Sequence, residues 1–177
     1  NDQLFYFIRC LKELDAYADV IFIDTGAGIS DQVLEFVLAS PEVLLVTTPE
    51  PSSLTDSYSL LKTLYRNPRF RRDTTEIKVV SNRVSSPDEG KNVYDKLNSV
   101  VEQFLHGRIE YLGMIPQDGM LEKAVRQQKT VSMNMPGAKS ARAFEVMAGN
   151  LINHEQNRPR LRWGISQMFS GFLNHKY

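Results

Sequence analysis

Apolar residues recur along this chain in short unbroken runs, and between the runs they recur at helical spacing. The runs cover residues 20–24, 43–48, 77–82 and 109–115. The first, Val20-Ile21-Phe22-Ile23-Asp24, has no polar alternation, the pattern of a strand buried on both faces of a parallel sheet. Ser30-Asp31 predicts a capped helix to residue 39, with Val33, Leu34, Val37 and Leu38 inward. Pro51-Ser52-Ser53 opens a second to about residue 66, with Leu54, Tyr58 and Leu61 in phase. Residues 66–75 are charged and carry Pro68, so they predict a surface loop. A long amphipathic helix is expected over residues 88–105, with Val93, Leu97, Val100, Val101 and Phe104 inward. Further helices are expected at about 119–128 and 139–153. Leu4, Phe7, Ile8, Leu11 and Leu14 open the chain in helical phase, with Cys10 as a small core residue among them.

Strands alternating with helices of this length predict βαβ units, hence an α/β fold with a parallel sheet flanked by helices. Right-handed crossovers put every strand's carboxyl end on one edge. Asp24, Thr48, Asn82 and Pro116 therefore meet at one crevice, where such sheets bind ligands. After Asp24 come Gly26 and Gly28, which let a backbone pass close to a phosphate. An aspartate so placed holds Mg²⁺ in P-loop NTPases. It can equally cap the next helix, with glycines that only make the turn. Asn82 can likewise end its strand in a turn, and Asp118 can cap a helix starting near Gly119.

Composition narrows the classes. A hydrophobic share of 42% with 24% charged residues describes a globular chain with a sizeable core. The 21 basic residues balance 21 acidic ones, so no global field recruits nucleic acid. A lone cysteine excludes an internal disulfide, and His106, His154 and His175 are too scattered for a zinc site. No apolar run approaches the roughly 18 residues of a membrane span, and no secretory signal is visible, which predicts a cytoplasmic protein.

Four separated segments then act together: Asp24-Thr25-Gly26-Ala27-Gly28-Ile29, the stretch from Thr47-Thr48-Pro49-Glu50-Pro51 to Asp56-Ser57, Ser81-Asn82-Arg83-Val84, and Gly113-Met114-Ile115-Pro116-Gln117-Asp118. In order and spacing they resemble the MinD/ParA family of deviant-Walker ATPases, and within it the MinD-like flagellar number regulators of the FlhG (YlxH or FleN) branch. The resemblance covers nearly the whole chain and implies a P-loop NTPase-like fold, of which residues 1–153 supply the carboxyl-terminal portion. It implies ATP and Mg²⁺ as cofactors. Asp24 would be the switch II acid holding Mg²⁺ through water, and Gly26 and Gly28 would sense the γ-phosphate. Asn82 would read the adenine edge, since an amide both donates and accepts. Pro116, Gln117 and Asp118 would frame the base. Implied partners are a second copy in a homodimer, an anionic membrane and the signal-recognition-type GTPase FlhF. The location implied is cytoplasmic and peripheral on the inner face of the cell membrane.

The family's glycine- and lysine-rich phosphate loop and its switch I aspartate do not occur here. The one Gly-Lys pair, Gly90-Lys91, opens a polar helix. Both missing elements lie upstream of Asn1 in that family, so the expectation is a fragment or processed form. Backbone amides and the loop lysine supply most of the phosphate hold. What remains is a few hydrogen bonds of about 0.5–1.5 kcal/mol each, or about 1.5–3 where charged. Millimolar affinity alone needs about 4 kcal/mol. The chain by itself is expected to bind ATP poorly and hydrolyse none, and its first strand to leave a sheet edge that something must cover.

Residues 154–177 are expected to form a basic amphipathic tail. Leu161, Ile165, Met168, Phe169 and Phe172 fall on a stripe of roughly 100°. Arg158, Arg160 and Arg162 add charge, and no acid occurs over residues 157–177, as in helices that lie in a membrane interface. Packing of that stripe on the domain's own core is the alternative. Two other functional readings stay open: a non-catalytic interaction module of this fold, and a ParA-like DNA-segregation ATPase, against which the neutral charge argues.

Overall fold

The computed structural model describes Leu14 and residues 17–156. They fall into two compact units, one within residues 17–41 and one beginning at Glu42. The opening helical run, apart from Leu14, and residues 157–177 of the tail lie outside the described residues.

In the first unit, Tyr17 and Ala18 donate back to the carbonyl of Leu14, closing a helical turn. Residues 20–29 are irregular. This corrects the expected strand at 20–24: Val20 is 50% and Phe22 72% exposed. A strand makes no hydrogen bonds within itself, and no described strand pairs with this run, so apolar sequence alone does not produce one. Helix α1 (Asp31–Ala39) follows, with the Ser30 hydroxyl accepting from Val33 N at 3.4 Å. Val33 and Val37 are buried on its inner face, as its spacing predicts.

The second unit alternates regularly: β1 (Glu42–Thr47), α2 (Pro51–Arg66), β2 (Glu76–Val84), α3 (Pro87–Leu105), β3 (Glu110–Pro116), α4 (Gly119–Arg126), α5 (Val131–Asn134) and α6 (Lys139–Gln156). The strands pair in parallel in the order β1-β2-β3. The α/β class, the parallel sheet and the three apolar runs behind it are therefore as expected, with boundaries moved by a residue or two. Prolines at the first turns of α2 and α3 cost no hydrogen bond there. Ser86 caps α3 by accepting from Glu89 N.

Alternate residues of β2 face opposite ways. Val80 packs in one cluster with Leu112, Ile115 and Met147 of α6. Ser81, fully buried, donates to the carbonyl of Gly90 in α3 at 2.7 Å. Helices α3 and α6 thus cover opposite faces of the sheet. Gly90 is buried inside α3, so the lone Gly-Lys pair is part of a packed helix and no phosphate loop. Between Val79 and Val80 the β2–β3 register skips a residue, with Leu112 as the extra member of β3. At this bulge Gly113 has φ +156, and a Cβ there would sit 2.9 Å from Met147 Cγ. The bare backbone lets α6 press onto the strand.

Candidate functional site

The carboxyl ends of β1, β2 and β3 lie on one edge because the strands are parallel. At β1, Thr47 is fully buried, and its hydroxyl meets that of Ser53 at 3.1 Å. Ser53 also accepts from Thr48 N at 3.0 Å, folding the Pro49–Pro51 turn onto the start of α2. Glu50 is exposed in that turn. The Thr48 hydroxyl, its own backbone N–H and the Arg83 charge hold its carboxyl below the ordinary range.

At β2, Asn82 pairs in register with Ile115, and Val84 pairs with Pro116. The skipped residue is Arg83, whose φ of +57 is uncommon outside glycine. The left-handed turn brings Arg83 N onto Asn82 Oδ1 at 2.9 Å. The side-chain amide of Asn82 is thereby fixed with its oxygen engaged. Gln117 N donates to Val84 O at 2.9 Å, which ties the loop after β3 to the end of β2. Asn82, Pro116 and Gln117 thus share one corner of the edge. Just beyond, Glu89 Oε2 accepts from Ser85 N (2.6 Å) and Ser85 Oγ (2.7 Å), and both bonds lower its pKa.

Asp118 sits beside this corner with both carboxylate oxygens in use. Oδ1 accepts from Met120 N at 2.9 Å and caps α4. Oδ2 accepts from Ser140 N and Oγ, and these bonds hold the carboxyl below its usual range. Its side chain is a structural clamp, leaving backbone groups to face a ligand. Sequence reading passed over three contributors. Arg83 gives no signal because its turn uses no glycine. Ser140 lies 22 residues from the group it holds. Ser53 reads as an ordinary first-turn serine.

Asp24, Gly26 and Gly28 belong to the first unit, in the irregular and exposed stretch. Gly28 has φ +100, which a residue with a Cβ rarely adopts. Among the described residues no group of three or more His, Cys, Asp or Glu could hold a metal ion. No described helix is long and apolar enough to cross a membrane.

No protein-family model matches the sequence. The antiactivator FleN of Pseudomonas aeruginosa is 40% identical over 141 residues, covering 80% of this chain and 49% of that protein. The flagellum site-determining protein YlxH of Helicobacter pylori is 32% identical over 163 residues, covering 86% of this chain and 53% of that one. The cell division ATPase MinD of Pyrococcus furiosus superposes with a TM-score of 0.62 at 25% identity, over 82% of this chain and 58% of its own. The chain belongs to the MinD/ParA family. Within that family it is most like the FleN and YlxH branch, and its fold is that of a P-loop NTPase. It spans about half the length of these two curated MinD-like relatives.

Proposed function

We propose that this chain supplies the base-facing side of an ATP site in a MinD-like regulator of flagellar number or placement. The observation that carries the reading is the Asn82 corner. A fixed amide, the Pro116 turn and the backbone of Gln117 stand together at the carboxyl edge of a chain in this family. That donor and acceptor set suits a purine rim. Asn82 would hold the base edge, and backbone groups of Pro116, Gln117 and Asp118 would frame it.

The phosphate side does not fit in the same way. Asp24 is exposed and, among the described residues, stands in no group that could hold a metal ion, and the sequence has no glycine- and lysine-rich loop. Mg²⁺ would reach Asp24 only through water and the nucleotide's own oxygens, so no hydrolytic step follows from these residues. In the wider proposal, ATP drives homodimerisation and the basic tail (Arg158 to Phe172) holds the dimer on the anionic inner face of the cell membrane. The GTPase FlhF is the proposed partner, on the family likeness.

Saturation-transfer NMR on the 177-residue chain tests the base side, because it detects weak ligands. Adenosine and ATP should give similar signals. Asn82→Ala should weaken both by about 5- to 10-fold, one net hydrogen bond of about 1–1.4 kcal/mol. Unchanged adenosine signals in that variant would sink the assignment. Micromolar ATP affinity by calorimetry would show instead that the chain holds phosphates unaided.

A further inference from the structure

One distortion, the bulge at Arg83, commits most of the hydrogen-bond donors at the Asn82 corner. Asn82 pairs with Ile115 and Val84 with Pro116, so Arg83 is the skipped residue. Its φ of +57 carries the backbone through a left-handed turn that makes room for it. A residue with a Cβ enters that region at a cost, and such outliers gather at binding sites. The turn has two results. Arg83 N donates to Asn82 Oδ1 at 2.9 Å. Val84, fully buried, accepts at its carbonyl from Gln117 N, also at 2.9 Å. Next along the chain, Ser85 N is taken by Glu89 Oε2. Pro116 has no N–H to give. The N–H groups of residues 83, 85 and 117 are therefore committed, whereas Asn82 Nδ2 makes no hydrogen bond among the described residues.

A free asparagine amide turns over at little cost and can read either kind of purine. Its oxygen accepts from the 6-amino group of adenine, or its nitrogen donates to a 6-oxo group. Here Arg83 N holds the oxygen, so reversal would set the NH₂ group against another donor. A 6-oxo group also needs an N–H, and neither Pro116 nor Gln117 has one uncommitted on its backbone. A 6-amino group needs an acceptor, and the held oxygen keeps a second lone pair for it. The Arg83 guanidinium takes no part in these bonds. It is exposed, and its charge acts on Glu50 after β1.

We infer that Arg83 is a positioning residue through its left-handed backbone, which locks the Asn82 amide in the sense that prefers a 6-amino purine over a 6-oxo one. This role presupposes the base-side reading of the corner and adds the element that sets the choice of base. Glycine and asparagine enter the left-handed region readily and should serve at position 83. A β-branched residue should not.

Saturation-transfer NMR titrations of the 177-residue chain with adenosine and with inosine, its 6-oxo counterpart, are the test. The parent should favour adenosine by about 5- to 10-fold, the effect of one net hydrogen bond. Arg83→Gly and Arg83→Asn should keep that preference without the guanidinium. Arg83→Val should weaken adenosine by a similar factor and bind the two nucleosides alike. Circular dichroism melts close to the parent's establish that each variant is folded. Loss of the preference in the Gly and Asn variants overturns the proposal, even where Arg83→Val folds poorly. A parent that does not distinguish the nucleosides overturns it, as does a folded Arg83→Val protein that still prefers adenosine. Asn82→Ala separates this role from the reading beneath it. Unchanged adenosine binding in that variant fells both. Weakened binding there, with the preference kept in Arg83→Val, fells the Arg83 role alone.

Discussion

Ser140 donates both its backbone N–H (2.9 Å) and its hydroxyl (2.8 Å) to one oxygen of Asp118. The other oxygen caps α4 through Met120 N. A single carboxylate therefore fixes the start of two helices beside the loop assigned to the base. Loss of an N-cap costs about 1 kcal/mol, and each hydrogen bond to a charged group about 1.5–3. Asp118→Ala is expected to lower stability by roughly 2–4 kcal/mol in urea titrations, and Ser140→Ala by roughly 1–2. Because the two share one interaction, the double variant should cost clearly less than their sum. Full additivity would show that the clamp contributes nothing.

Acid should release the same edge. Asp118 is held below the ordinary carboxylate value of 3.8, first by the Ser140 N–H. Glu89 is held below 4.5 by Ser85, and Glu50 by the Thr48 hydroxyl first. A depressed folded-state pKa gives stability that is fully present above the unfolded value and is lost as pH falls through the folded one. Melting temperature should thus be insensitive to these groups down to about pH 5 and decline below it. Asp118→Asn should shrink the acid-side decline in thermal melts run across pH. An identical decline in that variant would remove Asp118 from the account.

The bulge in β3 makes a sharper forecast. Gly113→Ala places a methyl 2.9 Å from Met147 Cγ at a φ of +156. Overpacking of this kind costs about 1–3 kcal/mol. Met147→Ala in the same chain should recover the steric part and leave the backbone part, measured as a double-mutant cycle by chemical denaturation. A Gly113→Ala protein as stable as the parent would mean that α6 does not seat on this glycine.

Between the core helices, Leu97 is 2% exposed within α3. Leu97→Ala should cost about 2–5 kcal/mol, as buried leucine truncations do. Phe104 lies about two turns farther along the same helix and is 61% exposed, contrary to its expected inward position, so its change to Ala should cost far less. Comparable losses at the two sites would contradict the packing described.

Much of this architecture is legible in the sequence because apolar runs separated by helical patterns admit few arrangements. The strands of the second unit, the long α3 and the meeting of Asn82 with Pro116 follow from that alternation and from parallel pairing. The run at residues 20–24 carries the same signal and forms no strand, since ladder bonds come from a neighbour and hydrophobicity does not supply one. The short α5 escaped notice because four residues between Thr130 and Met135 hold no period. The extra residue at Leu112 and the left-handed Arg83 are set by register between strands, which no local pattern records. Ser140 and Asp118 are far apart in the chain, and their link is visible only once the fold brings them together.

Helix α6 is 18 residues long, about 27 Å at 1.5 Å per residue, and without an internal proline. It is pinned at one end by Asp118 and seated at mid-length on Gly113. A rod held in this way moves as one piece. Any ångström-scale displacement of the loop beside Asn82 is carried mechanically to the far rim of the domain, where the chain continues past Gln156.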